Sequence, residues 1–227
     1  MQGKHQMWYY LFPALFLSLL LWNIPQLSFL IYPFRLFGTF VHELSHATTS
    51  VLTGGEVTKI VLDPNNSGLA YSRGGNILLV ASAGYFGTLL FGTLLLFLGR
   101  YPKGARWSVG GVGFLLFISL LFPQNLFGFL AGLGFALILL GISQKGNDGV
   151  NAFFLNFLAI QCSLDGLFSF KDLLYYALHQ PDVKTDAQAM ADSTGIPAVV
   201  WAFFWGGIAL VWMGWILYRL YFKKTPL

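Results

Sequence analysis

Gly38-Thr39-Phe40-Val41-His42-Glu43-Leu44-Ser45-His46 lies inside an apolar stretch, residues 28–53, that otherwise reads as a membrane-crossing helix. Two histidines four apart on a helix stand one above the other and can grip one metal ion. A glutamate beside the first can then take a proton from an attacking water. The surroundings sharpen this reading, because ionisable side chains at bilayer depth are costly and usually functional. The stretch therefore implies two things together, a helix buried in a membrane bundle and a hydrolytic zinc centre built on it.

The rest of the composition agrees. Of the 227 residues, 56% are hydrophobic and 10% charged, against about 25% charged in an ordinary soluble domain. Several runs reach the roughly 20 residues needed to cross a hydrocarbon core. The net charge of +4 comes from basic residues flanking apolar runs, which suits a lipid bilayer surface. No basic stripe with interleaved aromatics points to nucleic acid. A lone cysteine, Cys162, excludes an internal disulfide framework and a cysteine-based zinc site.

Seven apolar segments follow from hydropathy and breakers: 7–24, 28–53, 76–99, 107–122, 125–143, 149–176 and 197–221. The expected fold is a single-domain, all-α polytopic membrane bundle, spanning 1–227, with six or seven transmembrane helices. The first segment reads as a retained span, because Trp22-Asn23-Ile24-Pro25 ends it without a small-residue cleavage site. Pro123, Gln124 and Asn125 join segments four and five as a tight hairpin or one broken helix. Residues 55–73 show alternation around the turn-forming Asp63-Pro64-Asn65-Asn66-Ser67-Gly68, which predicts a short β-hairpin. The 177–196 stretch, with Asp182, Asp186 and Asp192, reads as solvated loop with room for a lid. With seven spans, Arg100, Lys103, Arg106, Lys145, Arg219, Lys223 and Lys224 fall on one side, the cytoplasmic one. The N-terminus, with Lys4 and Trp8, then faces the other side.

A catalytic zinc usually takes three protein ligands, so His42 and His46 need a third from elsewhere. Asp165 is the preferred candidate, since Ser163-Leu164-Asp165-Gly166 follows a long apolar run and a carboxylate there needs a cation. Asp172, two turns on, is the other candidate, as third ligand or as an acceptor for a ligating histidine. Gly84 and Gly87 suit close helix packing.

His42-Glu43-Leu44-Ser45-His46 in an early helix with Leu164-Asp165-Gly166 in a late one resembles the site-2 protease family of intramembrane zinc metalloproteases. Gly38-Thr39-Phe40-Val41, Thr53-Gly54-Gly55, Gly74-Gly75 and Gly84-Tyr85-Phe86-Gly87 resemble its compact branch without a PDZ domain, found in bacteria and plants. The resemblance implies zinc held by His42, His46 and Asp165, with Glu43 as catalytic base. It also implies a membrane-anchored protein substrate and a bacterial inner or thylakoid membrane. Family members often carry a substrate-clamping asparagine just before L-D-G; here Asn156 stands nine residues before Asp165, without the accompanying prolines. The alternative function is a non-proteolytic membrane zinc protein, such as a scaffold, assembly factor or transporter.

Overall fold

The structure, a computed structural model, describes residues 2–122, 124–180 and 182–221, without the side chains of 2–8, 217, 220 and 221. Expectations resting on Pro123, Lys223, Lys224 and the side chains of Lys4 and Trp8 lie outside the described residues. Each of the seven apolar segments is a helix. In chain order these are α1 (Gln2–Asn23), α2 (Ser28–Leu52), α3 (Ile77–Gly99), α4 (Pro102–Ser119), α5 (Leu126–Lys145), α6 (Asp148–His179) and, after a short helix α7 (Asp186–Thr194), α8 (Ala198–Tyr221). Between α2 and α3 runs the hairpin β1 (Glu56–Leu62) and β2 (Gly68–Arg73). The protein is an all-α polytopic bundle with one small sheet.

Four helices, α3, α5, α6 and α8, are each long and apolar enough to cross a membrane, and α1 with α2 qualifies as one bent pair. That pair turns by 107° around Pro25, as a residue ahead of proline resists helix and proline itself cannot continue one. α4 is long enough, but its polar first turns, with Lys103 and Arg106, leave it less apolar than α3, α5, α6 and α8. It nevertheless packs antiparallel along α5: a Cβ at Gly110 would touch Ser143, and one at Gly113 would touch Leu139. Segments four and five are thus a hairpin.

The bend overturns one expectation. Tyr10 of α1 packs against Gly149 at the start of α6, so α1 begins at the same end of the bundle as Lys145. The N-terminal end therefore lies at the same end as the basic residues, contrary to the arrangement expected with seven spans. α1 is held to α6 by a buried polar link in which Trp22 Nε1 donates to Gln161 Oε1 (2.9 Å) and Gln161 Nε2 donates to Ser18 Oγ (2.8 Å). Buried amides retain such partners because an unmet one is expensive in an apolar interior.

α2 and α6 pack together. Phe34 meets Phe157 edge to face, centroids 4.8 Å apart, and Gly38 lies under Asp165. The hairpin folds back along α2, tied by Tyr32 Oη donating to Pro64 O (2.9 Å) and Thr39 Oγ1 to Asn66 O (3.1 Å). Asn66 has φ of 66°, a left-handed turn position that asparagine tolerates. The outer edge of β1 is covered by the α4–α5 connection, where Asn125 Nδ2 donates to Leu62 O (2.8 Å) and Asn125 Oδ1 accepts from Leu62 N (3.1 Å). Among the described residues β2 pairs only with β1.

The 177–196 stretch is not simply loop. Thr185 caps α7 by accepting from Gln188 N, and Gly195 closes it in the left-handed conformation at φ 72°. Ala187 and Met190 bury against Ala81, Leu173, Ala202 and Trp205, which docks α7 onto α3, α6 and α8.

Candidate metal centre

His42 and His46 stand on one face of α2, their ring centroids 4.7 Å apart. His46 Nδ1 lies 2.6 Å from the Val80 carbonyl. A carbonyl only accepts, so Nδ1 carries a proton, and Nε2 is the nitrogen turned into the site, able to lend its lone pair to a metal when deprotonated. Against His42 stands the edge of Tyr85, centroids 4.9 Å apart, and Tyr85 stacks in turn on Trp205 at 5.1 Å. These rings form an apolar wall on the α3 and α8 side.

A third group converges on the pair. Asp186 Oδ2 lies 3.2 Å from His42 Nε2 and 3.3 Å from His46 Nε2. For zinc–ligand distances of about 2.0–2.1 Å, neighbouring corners of a tetrahedron lie about 3.3–3.4 Å apart. The two distances from Asp186 are therefore the right length for edges of such a tetrahedron, the three atoms all lie within 4.8 Å of one another, and two imidazoles with a carboxylate are an ordinary zinc donor set. Asp186 opens α7, where the helix N-terminus also favours a carboxylate. Burial alone would raise its carboxyl, but the facing His46 and His42 rings outweigh this and hold it well below the usual carboxylate range.

Gly84 of α3 faces both histidines. A Cβ there would collide with Nε2 of His42 and of His46, so the expected close helix packing at Gly84 is packing onto these two rings. Gly84→Ala is expected to weaken zinc binding about 10–100-fold, the range seen when groups that orient ligands are disturbed. Zinc content of the purified variant, measured against wild type, checks this.

Glu43 is buried beside the pair. It abuts Gly68 of β2, where a Cβ would lie 2.7 Å from Glu43 Cγ. The three-group cluster that could hold a metal, among the described residues, is His42, His46 and Asp186. It differs from the expected set in its third member. Asp165 stands against Gly38, a turn before His42, and a Cβ at Gly38 would lie 2.8 Å from its Oδ2. Its carboxylate is within electrostatic reach of His42 first and Arg35 second, but does not join the group formed by the two Nε2 atoms and Asp186. Asp172 is exposed on α6 and joins no such cluster. Asn156 is fully buried elsewhere, its Nδ2 donating to Ala152 O (2.8 Å), and its amide packs on Gly99 at the end of α3.

Asp186 was open to discovery in the sequence. Thr185-Asp186-Ala187-Gln188 has the Thr-x-x-Gln form of a capping box, with Gly195 and Pro197 as stop signals. Those signals announce a helix. Nothing local says that its first residue reaches His42.

No curated protein and no solved structure matches the chain. A family model described as Peptidase M50B-like matches residues 11–216, nearly the whole bundle from α1 into α8, and the chain belongs to that family.

Proposed function

We propose that the chain is a zinc-dependent endopeptidase that cleaves membrane-anchored proteins. The observation that carries this reading is the convergence of His42, His46 and Asp186 beside Glu43, in a chain of a membrane metallopeptidase family. When bound, zinc supplies the Lewis acidity that polarises a scissile carbonyl and acidifies water. His42 and His46 offer Nε2 and Asp186 offers Oδ2 to hold it. The Glu43 carboxylate takes the proton of the attacking water and passes it to the leaving amine. Tyr85 and Trp205 keep bulk water from one side of the site. Asp165 is the second reading for the third ligand, favoured by its place one turn from His42.

A helical substrate has to unwind before its carbonyl is accessible, since the helix keeps that group hydrogen-bonded. β2 supports a place for the unwound stretch: it pairs only with β1 among the described residues and runs beside Glu43. Strand addition there would use main-chain hydrogen bonds, which tolerate varied side chains. Lys103 and Arg106 at the start of α4 and Lys145 at the end of α5 share one end of the bundle. By the positive-inside rule that end, with the C-terminal end of α8, faces the cytoplasm.

Metal removal tests the reading. Chelator-treated protein is expected to lose cleavage of a tagged single-span test protein, and stoichiometric zinc to restore it. Undiminished cleavage by protein verified as metal-free would sink the proposal, while a stable zinc protein without any cleavage would favour the scaffold alternative.

A further inference from the structure

We infer that Gly68 of β2 is a positioning residue for the Glu43 carboxylate, so that the hairpin aims the catalytic base. The inference rests on the reading of Glu43 as base. Its own support is steric. Gly68 lies over two successive turns of α2, wedged between Thr39 and Glu43: a Cβ at 68 would fall 2.7 Å from Glu43 Cγ, 3.0 Å from Glu43 Oε1 and 2.8 Å from Thr39 Cγ2. Such contacts leave no room for any side chain, so the backbone of β2 is the wall that limits where the Glu43 side chain swings.

The wall is itself fixed. Thr39 holds the turn through Asn66 O, Tyr32 holds it through Pro64 O, and Asn125 pins the far edge of β1 at Leu62. Leu62 and Ile60 are fully buried under it. Two residues past Gly68, the backbone N–H of Ala70 is directed at the same carboxylate. The carboxylate is thereby held against the strand, with Oε1 beside Gly68. Rotamer freedom of a glutamate is large, and a displacement of about 1 Å at a reacting group can cost about 100-fold in rate. A glycine at 68 lets the strand come close enough to remove that freedom.

The test is Gly68→Ala in the full-length protein in lipid discs, with cleavage of the tagged single-span test protein followed at several substrate concentrations. The expected result is kcat lowered about 10–100-fold, with KM and zinc content unchanged. Thr39→Ser keeps the hydroxyl that holds Asn66 and removes the methyl that a new Cβ would strike. Adding it to Gly68→Ala is expected to restore most of the lost kcat, because the alanine then leans away from Glu43. A kcat for Gly68→Ala within twofold of wild type would overturn the inference, as would a loss of zinc that accounts for the loss of rate. If Glu43→Gln itself cleaves normally, the base reading fails. If Glu43→Gln is dead and Gly68→Ala is unimpaired, the positioning role alone fails.

Discussion

Glu43→Gln is expected to lower cleavage by about 10²–10⁴-fold, the range a general base contributes, while leaving zinc in place. The substitution keeps the shape of the side chain, so the contacts with Gly68 and Thr39 that frame position 43 survive. It removes only the ability to accept a proton. Glu43 is not in the cluster of His42, His46 and Asp186, so zinc content and thermal unfolding should match wild type. Activity unchanged within error would remove Glu43 from the mechanism. A variant that also lost its zinc would make Glu43 a ligand or a structural support instead.

Asp186→Asn is the second large effect. Replacing a carboxylate ligand by an amide removes its charge and much of its affinity for a divalent cation, and about 100-fold weaker zinc binding is expected, at least as much as groups behind the ligands cost. Asp165→Asn, measured in parallel, is expected to bind zinc within a few-fold of wild type. Zinc titration of both purified variants decides between the carboxylates. The reverse pattern would give the third position to Asp165 and leave Asp186 as an ion-pair partner of the two rings.

The contrast between these two aspartates shows where sequence reasoning reaches and where it stops. The pairing of His42 with His46 was legible because their relation is local: helical spacing alone puts two rings on one face. The hairpin was legible for the same reason, Asp63 to Gly68 being a turn by its own chemistry. A third ligand is a tertiary fact. Asp165 was picked for its apolar neighbours, a sound argument that an acid needs company, yet burial says nothing of which partner it meets. The structure sets it by Gly38, while Asp186 arrives from a stretch that looked merely polar.

The placing of the N-terminal end is a related case. It follows from a count of seven spans, beside which six stands open, with Pro25 as the end of a span. In the bundle Pro25 marks a bend of 107° between α1 and α2, and the N-terminal end lies at the basic end. Packing of α1 against α6 decides this, through Tyr10 and the Trp22–Gln161–Ser18 link. Local hydropathy contains no such information.

α7 has nine residues, and it is joined to α6 by an irregular connection and to α8 through the left-handed Gly195. If its first side chain completes the metal centre, the ion becomes a clasp as well as a reagent, fastening a peripheral element to α2. Loading and emptying of the centre would then be felt outside the bundle, as the tightening or release of a strap across its mouth.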